Sequence, residues 1–342
     1  MDVRTALTAL LEKRDLTRDE MLSLMHQIMG GELTPVQIAG FLIALRAKGE
    51  TVTEIAAAAE VMRELSTKVP VGTEEHLVDT CGTGGDGAHT FNISTTEAFV
   101  AAAAGVKIAK HGGRSVSSTC GSADVLEALG VNMNLTPDQV AQSIEEIGVG
   151  FMFAPNHHSA MKYAAPVRRE LGVRTLFNLL GPLTNPAGAK NQVMGVFRKD
   201  LCRPLAEALK SLGANHVMVV HGTDGMDEIT RCGATHVAEL KDGIIEEYAV
   251  DPEAFGMKLG SADALLAHNV DEAKARLLSV LDNEHGAALD IVALNAGAAI
   301  YVGGMAHTLE AGIKKAMHVI ASGEAKAKLE QLIAFSNRFK TV

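Results

Sequence analysis

The chain has 342 residues, enough for one large domain or two smaller ones, and 47% of them are hydrophobic, which supports a substantial core. Its formal net charge of −10 argues against a general nucleic-acid binder and against a protein that binds acidic membranes. Aromatic residues make up only 4% and there is no tryptophan, so stacking on nucleic-acid bases is not expected to dominate binding.

The N-terminal segment and the cysteines indicate the compartment. The first residues follow a charged amphipathic helix pattern and lack the apolar core of a signal peptide. No stretch approaches the ~18 unbroken apolar residues that a membrane span needs. The four cysteines have no paired metal-binding spacing and are expected to be reduced thiols. We therefore expect a soluble, cytoplasmic protein that binds neither membranes nor nucleic acid.

The first 70 residues are predicted to contain helices only. Thr17, Thr34 and Thr51 each precede a glutamate or glutamine by three positions, which is the capping-box pattern of a helix start. The pattern breaks at residues 69–72, Val-Pro-Val-Gly, which we interpret as a hinge between a helical part and an α/β part. Residues 1–70 are thus expected to form a small helical domain.

From Leu77 onward, apolar strands alternate with helices, which favours a parallel sheet with right-handed crossover connections. The strands are predicted at residues 77–78, 106–109, 150–153, 192–197 and 216–221, followed by a hairpin of residues 235–240 and 244–248. The chain from about Ala287 is predicted to be helical. The expected fold class is α/β: a small N-terminal helical domain, plus a large domain of residues 71–342 with a mostly parallel central sheet flanked by helices.

Two loops of the predicted sheet have the composition of an anion-binding site. Residues 82–87, Gly-Thr-Gly-Gly-Asp-Gly, follow the first strand, and residues 110–115, Lys-His-Gly-Gly-Arg-Ser, follow the second. Glycines let the backbone approach a ligand closely, and helix N-termini present unpaired N–H groups to anions. Lys110 and Arg114 add positive charge, and the arginine fork suits phosphate oxygens. The loops predict a site for a ligand with more than one phosphate.

The first loop formally matches the G-x-G-x-x-G pattern of dinucleotide-binding folds. Such a fold requires an acidic residue at the end of the second strand to hold the ribose hydroxyls, whereas this strand is followed by Lys110-His111. A P-loop is excluded as well, because no Gly-Lys-Ser or Gly-Lys-Thr follows. The absence of this acidic residue favours a ligand with a phosphate group over a nicotinamide cofactor.

Six sequence blocks follow one another along the chain: residues 82–86, residues 92–95, residues 110–112 with Arg114, residues 121–127, residues 178–186 and the pair Asp227-Glu228. In this order they resemble the blocks of the anthranilate phosphoribosyltransferases, enzymes of tryptophan biosynthesis. The similarity runs from about Leu22 to the C-terminal helices and so covers nearly the whole chain. A single block would support this resemblance only in part, whereas all six blocks in this order make it specific.

The resemblance implies a set of ligands and of residues that bind them. The implied phosphoribosyl-pyrophosphate-binding residues are Gly82, Gly85, Asp86, Thr90, Asn92, Ile93, Ser94, Thr95, Lys110, His111, Gly112, Gly113, Arg114, Ser115, Val116, Ser117, Ser118 and Ser122. The implied anthranilate-binding residues are Gly82, Gly113 and Arg168, and the implied ligands of two Mg²⁺ ions are Ser94, Asp227 and Glu228. The resemblance also implies a homodimer joined through the helical domain, which residues 172–190 would complete.

The chemistry of this reaction agrees with these residue types. Displacement of pyrophosphate from an anomeric carbon develops negative charge on the leaving group, which Mg²⁺ and preorganised donors stabilise. Mg²⁺ prefers oxygen ligands, so two carboxylates and a hydroxyl are suitable. The amine of anthranilate is already a nucleophile, so no strong acid or base is expected. Lys110, His111 and Arg114 would support the transition state.

Two positions depart from the family pattern. Gly113 stands where the family commonly has asparagine, so only backbone is left to contact the amine substrate there. Thr119 stands where the family often has lysine, which removes one positive charge near the phosphates.

Simpler interpretations remain open for single residues. Asp227-Glu228 alone would be an exposed loop pair, Ser94 a helix cap, and Arg168 a helix-surface charge. His157-His158 has no third metal ligand nearby, so a loop contact is expected there. Two other functions stay as alternatives: a pyrimidine-nucleoside phosphorylase, and a non-catalytic nucleic-acid-binding relative with the same fold.

Overall fold

The N-terminal part of the chain consists of four helices. The computed structural model describes residues 1–73, 75–114 and 120–340. The four helices are α1 (Val3–Leu11), α2 (Arg18–Gly30), α3 (Pro35–Lys48) and α4 (Val52–Glu64). The predicted capping boxes are confirmed, because Thr17, Thr34 and Thr51 each cap a helix and exchange hydrogen bonds with the residue three positions on.

A seven-stranded sheet forms the centre of the larger part of the chain. Its strand order is β3-β2-β1-β4-β5-β6-β7, with β1 to β5 parallel and β6 and β7 antiparallel. The strands are β1 (Leu77–Gly82), β2 (Lys107–Gly112), β3 (Val149–Phe153), β4 (Asn191–Gly195), β5 (His216–Gly222), β6 (Thr235–Lys241) and β7 (Ile244–Val250). The predicted α/β fold with a mostly parallel sheet is confirmed, including the hairpin at Asp242-Gly243.

Eleven further α-helices are present in the described residues that follow β1. They are α5 (Ile93–Ala103), α6 (Ser122–Ala128), α7 (Pro137–Ile147), α8 (Ala154–His157), α9 (Ala165–Leu171), α10 (Phe177–Leu180), α11 (Cys202–Ser211), α12 (Val270–Leu281), α13 (Ala287–Val302), α14 (Leu309–Ala321) and α15 (Glu324–Asn337). Helix α12 was not predicted from the sequence. Within the described ranges, no helix combines the length and the apolar character needed to cross a membrane.

The second strand is longer than the sequence predicted, which corrects the position of Lys110, His111 and Gly112. These residues were expected in a loop, but they continue β2 and pair in parallel with residues 151–153 of β3. The apolar run that guided the prediction ends at Ala109, whereas backbone pairing continues through polar side chains because the hydrogen bonds use main-chain groups only. Lys110 and His111 are therefore fixed by the sheet.

The helical part does not have a core of its own. One hydrophobic cluster joins the buried residues of α1 to α4 with those of α9 to α11 and with one face of β4 and β5. Within it, Val167 of α9 and Phe177 of α10 pack among the N-terminal helices. A second cluster on the sheet contains most of α5 and α13. The division into a helical domain of residues 1–70 and an α/β domain of residues 71–342 stays a prediction.

Candidate active site

The loop after β5 meets the glycine-rich loop after β1. Because parallel strands have their carboxyl ends at one edge of the sheet, the loops after β1 and β5 come together there. The Asp227 carboxylate accepts a hydrogen bond from the amide of Gly84 at 2.7 Å, and the Asp227 amide lies 3.4 Å from the Asp86 carboxylate. Both Asp227 and Glu228 are half-buried, so the pair is not the freely solvated loop pair that its sequence alone would suggest.

Two glycines make room for Asp227. A side-chain carbon at Gly82 would overlap the Asp227 carboxylate, and one at Gly195 would overlap the Asp227 carbonyl oxygen. Gly84 and Gly85 have φ angles of 64° and 72°, a left-handed conformation that glycine adopts without steric cost. Glycine is thus needed here both for the turn and for the close approach of another chain segment. Gly195 was not identified from the sequence.

Several carboxyl groups interact with one another beside the contact between Asp227 and Gly84. Burial raises the pKa of Asp227, and the nearby Asp86 carboxylate raises it further. Burial, followed by the charges of Glu97 and Asp227, raises the pKa of Glu228 well above its usual value. Glu97 is 1% exposed, and its Oε2 atom has no hydrogen-bond partner among the described residues. Glu97 had one signal in the sequence, a charged residue within an alanine-rich helix, but it was not recognised.

The acidic cluster fits a divalent cation. Lys110 is the cation that interacts with Glu97 and Glu228, and it opposes the rise in the pKa of both carboxyls. Like-charged carboxylates this close are costly unless a cation offsets them. Among the described residues, no three histidine, cysteine or acidic side chains are arranged to hold a metal ion by themselves. Mg²⁺ is commonly bound through one or two carboxylates together with substrate phosphates, so this donor set suits it.

Lys110 and Ser94 occupy the space between β1 and α5. Lys110 is buried, and its Nζ donates hydrogen bonds to the Thr80 carbonyl and, at 3.1 Å, to the Ser94 hydroxyl. Ser94 is the second residue of α5 and does not cap it, because Asn92 holds the cap position. The Asn92 side chain makes no cap hydrogen bond to the amides at this helix start, and among the described residues the buried Thr95 hydroxyl has no partner. These unused donors agree with an anion site.

The remaining predicted phosphoribosyl-pyrophosphate residues divide into three groups. Gly112, Gly113 and Ser122 lie together, since the amide of Ala123 and the Ser122 hydroxyl both donate to the Gly113 carbonyl. Thr90 forms an isolated bridge with Leu266, and the side chain of Ile93 is buried in the core, so only its backbone can reach a ligand. Ser115, Val116, Ser117 and Ser118 lie outside the described residues, as does Thr119, which departs from the family pattern.

Arg114 makes ion pairs with two acidic residues of helix α6. Its guanidinium lies 2.8 Å from Asp124 and 2.9 Å from Glu127, both on α6, and 5.7 Å from the centre of the Phe153 ring. The side chain is half-exposed, so these pairs are weak and screened. A phosphate could therefore replace them at modest cost.

His111 lies in a group of buried histidines. Its ring centre is 5.0 Å from that of His158. In the part of the chain that the structure describes, the buried Nε2 atoms of His111, His157 and His158 have no hydrogen-bond partners. Burial lowers the pKa of His111 to about 3 and that of His158 to about 4. The imidazoles are therefore neutral near pH 7. Any support that His111 gives to a reaction would come from a hydrogen bond and not from positive charge.

Arg168 is a half-buried cation without an ion pair in the part of the chain that the structure describes. Its guanidinium lies 5.5 Å from the centre of the Phe177 ring, and burial lowers its pKa. No hydrogen bond or ion pair among the described residues joins it to Gly82 or Gly113. Arg168 is therefore not joined directly to Gly82 and Gly113, the other two residues predicted to bind anthranilate. A ligand that bound between them would offset the charge of Arg168.

The fold and this site define a glycosyl transferase with a helical bundle. The model of the "Glycosyl transferase family, helical bundle domain" matches residues 4–66, and that of the "Glycosyl transferase family, a/b domain" matches residues 74–326. Anthranilate phosphoribosyltransferase from Thiobacillus denitrificans is 65% identical over 335 residues, which is 98% of each chain. On this basis, the chain belongs to the anthranilate phosphoribosyltransferase family and is an enzyme of that family.

Solved structures of this family agree with the present fold over nearly its whole length. The crystal structure of the enzyme from Thermus thermophilus is 46% identical, with a TM-score of 0.91, and the alignment covers 97% of this chain and 99% of that one. The Saccharomyces cerevisiae enzyme in complex with PRPP and Mg is 26% identical, with a TM-score of 0.90, and the alignment covers 98% of both chains.

Proposed function

We propose that this protein transfers the 5-phosphoribosyl group from phosphoribosyl pyrophosphate to anthranilate, giving N-(5′-phosphoribosyl)anthranilate and pyrophosphate in tryptophan biosynthesis. Membership of the family supports the reaction, and one observation in this chain supports it directly. The Asp227 carboxylate is bound to the glycine-rich loop at Gly84, beside Asp86 and Glu228. This places acidic side chains beside backbone donors, as a magnesium pyrophosphate group requires.

The donor would bind across the carboxyl ends of β1 and β2. Residues 82–86 and the start of α5 would receive the pyrophosphate and phosphate oxygens through backbone amides. Lys110 would contribute a positive charge near the start of α5, because its Nζ already lies 3.1 Å from the Ser94 hydroxyl. Gly113 and Arg114, which follow β2, and Ser122, the first residue of α6, would bind the remaining phosphate oxygens.

Two Mg²⁺ ions would be held by Ser94, Asp227 and Glu228 together with the donor's own oxygens. Mg²⁺ bound there would stabilise the negative charge that develops on the leaving pyrophosphate. The protein's own contribution is to hold the Asp227 segment against β1 and β4, where Gly82 and Gly195 leave room for it. Fixed carboxylates need little reorganisation when the leaving group departs.

Anthranilate would bind near Gly82, Gly113 and Arg168. The half-buried Arg168 would pair with the anthranilate carboxylate and orient its amine towards the anomeric carbon. A strong base is not required, because the amine is a nucleophile without one. Exclusion of water by closure of the helical part over the sheet would protect the activated sugar from hydrolysis.

The protein would act in the cytoplasm as a homodimer joined through its helical domain. An apolar groove between α1 and α3 supports this arrangement, because it is lined by Leu7, Leu11, Val36, Ala39 and Ile43. Leu11 and Val36 are 73% and 81% exposed in the single chain. Sedimentation of the variant Val36→Glu tests the interface, with a monomer expected and an unchanged dimer counting against it.

The activity is tested by the fluorescence of anthranilate. We expect it to decrease with time when enzyme, phosphoribosyl pyrophosphate and Mg²⁺ are all present, and not when any one is omitted. Folded protein that causes no decrease would contradict the proposal. Phosphorolysis of thymidine or uridine by that protein would then support a pyrimidine-nucleoside phosphorylase.

A further inference from the structure

Arg174, in the segment between α9 and α10, contacts the glycine-rich loop. Its Nη2 donates a hydrogen bond to the Gly85 carbonyl, and its guanidinium lies 4.2 Å from the centre of the Phe197 ring. Phe197 is itself bonded to the same loop, because its amide donates a hydrogen bond to the Thr83 hydroxyl at 3.2 Å. Arg174 thus bonds directly to the loop at Gly85 and stacks on a residue, Phe197, that bonds to the loop at Thr83.

The backbone of Arg174 is in turn fixed by the helical part. Arg46, in the last turn of α3, donates a hydrogen bond from its Nη1 to the Arg174 carbonyl. A continuous set of contacts therefore runs from α3 through Arg46 and Arg174 to Gly85. Among the described contacts, this set connects an N-terminal helix to the loop that binds Asp227.

The glycines give the glycine-rich loop a wide choice of conformations, so its contacts with other segments help to hold one of them. Gly84, Gly85 and Gly87 have φ angles between 64° and 78°, and glycine has more conformational freedom to lose than any other residue. Gly84 donates to Asp227, and the Asp86 carboxylate accepts from Ala88 at 3.1 Å. Gly85 lies between these two bonded residues, so a hydrogen bond to its carbonyl restrains the part of the loop that positions Asp227.

We propose that Arg174 is a positioning residue that connects the helical part to the glycine-rich loop, so that Gly85, and with it Asp86 and Asp227, is held for the pyrophosphate end of the donor. The inference rests on the proposed function. Arginine suits this role because its planar fork can stack on Phe197 while it donates to a carbonyl, which a lysine ammonium does not do. A side-chain carbon at Gly85 would lie 3.3 Å from Arg174 Nε, so the two residues are also closely fitted.

Steady-state kinetics on Arg174→Ala and Arg174→Lys test the role in catalysis. We expect both variants to raise the KM for phosphoribosyl pyrophosphate about tenfold, because loss of one charge-assisted hydrogen bond and of the stacking loosens the loop. The KM for anthranilate should change less than about twofold. Arg169→Ala, an exposed neighbour on α9, is the matched control and should leave both constants unchanged. Wild-type values in Arg174→Lys would overturn the proposal, since charge alone would then suffice.

The connection to the helical part is tested through Arg46. We expect Arg46→Ala to raise the same KM by about threefold, and Arg46→Ala with Arg174→Ala to be no worse than Arg174→Ala alone, because Arg46 acts through Arg174. Effects that multiply in the double variant would show that the two residues act independently and would overturn this connection.

Hydrogen exchange without substrate gives a readout that does not depend on activity. We expect the amides of residues 84–88 to exchange about tenfold faster in Arg174→Ala than in the wild type, with the sheet amides of β4 unchanged. Unchanged exchange in the loop would overturn the proposal. If the wild-type protein transferred no phosphoribosyl group, the proposed function would fail instead, and the exchange data would still report on the contact.

Discussion

The Asp227 carboxylate accepts a hydrogen bond from the Gly84 amide at 2.7 Å, which joins residues 143 positions apart in the chain. This bond connects the loop after β5 to the glycine-rich loop after β1. It also brings Glu228 into the electrostatic range of Glu97 and Lys110. The carboxylates that would hold Mg²⁺ and the backbone amides that would bind phosphate are thus fixed relative to each other before any ligand binds.

Replacing Gly195 by alanine should separate Asp227 from the sheet. The new methyl group would overlap the Asp227 carbonyl, and a displacement of about 1 Å in a catalytic group can reduce the rate about a hundredfold. We expect kcat to fall by about that factor in the fluorescence assay, while circular dichroism shows a folded protein. Gly30→Ala is the control, because the new methyl group would contact only the flexible side chain of Glu32. Normal activity of Gly195→Ala would contradict the assignment of Asp227.

Replacing Asp227 by asparagine together with Glu228 by glutamine should weaken metal binding. Amides keep the shape of the side chains but remove both negative charges, so the half-saturating Mg²⁺ concentration should rise at least about tenfold. Mn²⁺ binding, followed by electron paramagnetic resonance, checks this without relying on turnover. Glu246→Gln, an exposed carboxylate on β7, should change neither quantity. Metal dependence that survives the double substitution would exclude this pair as ligands.

Replacing Gly113 by asparagine should tighten the binding of anthranilate. No atom of the described residues lies within 4 Å of a side-chain carbon at this position, so an asparagine would fit among them and could bond to the substrate amine or carboxylate. We expect the KM for anthranilate to fall about threefold to tenfold, with the KM for the donor unchanged. An unchanged or larger KM for anthranilate would show that the backbone alone is the better contact.

His158 should make the free energy of unfolding depend on pH. Its folded-state pKa of about 4 is below the ordinary value of 6.5, so between these pH values the unfolded chain binds the extra proton and stability falls as the pH decreases. The contribution of one such histidine is about 1.4 kcal/mol per pH unit. We expect His158→Gln to lose less stability than the wild type when urea unfolding is compared at pH 7.5 and pH 5.

The matched control for this comparison is His318→Gln, which replaces an exposed histidine on α14. Its unfolding should depend on pH as that of the wild type does, because the substitution leaves the buried His111, His157 and His158 in place. The buried carboxyls have raised pKa values and act in the opposite direction, but they are present in all three proteins and cancel in the differences. Parallel pH profiles for wild type and His158→Gln would contradict a neutral buried His158.

Local sequence rules predicted the elements of the fold that depend on local chemistry. The caps at Thr17, Thr34 and Thr51 were identified because a helix start is built from residues within one turn. The hairpin at Asp242-Gly243 was identified for the same reason. The end of β2 was missed because pairing of Lys110 with Phe151 depends on a strand that is distant in the chain, not on the polarity of Lys110 itself.

The sequence by itself determined the alternation of strands and helices in most of the chain, the glycine-rich loop and the ordered blocks that resemble one enzyme family, because each of these depends on a short stretch of chain. Only the tertiary structure decided which distant groups meet: Gly195 with Asp227, Glu97 with Lys110, and Arg46 and Arg174 with Gly85. These contacts arise from the packing of separate elements across the sheet edge. No spacing along the chain encodes them, since each depends on where two elements are placed by the core that both help to form.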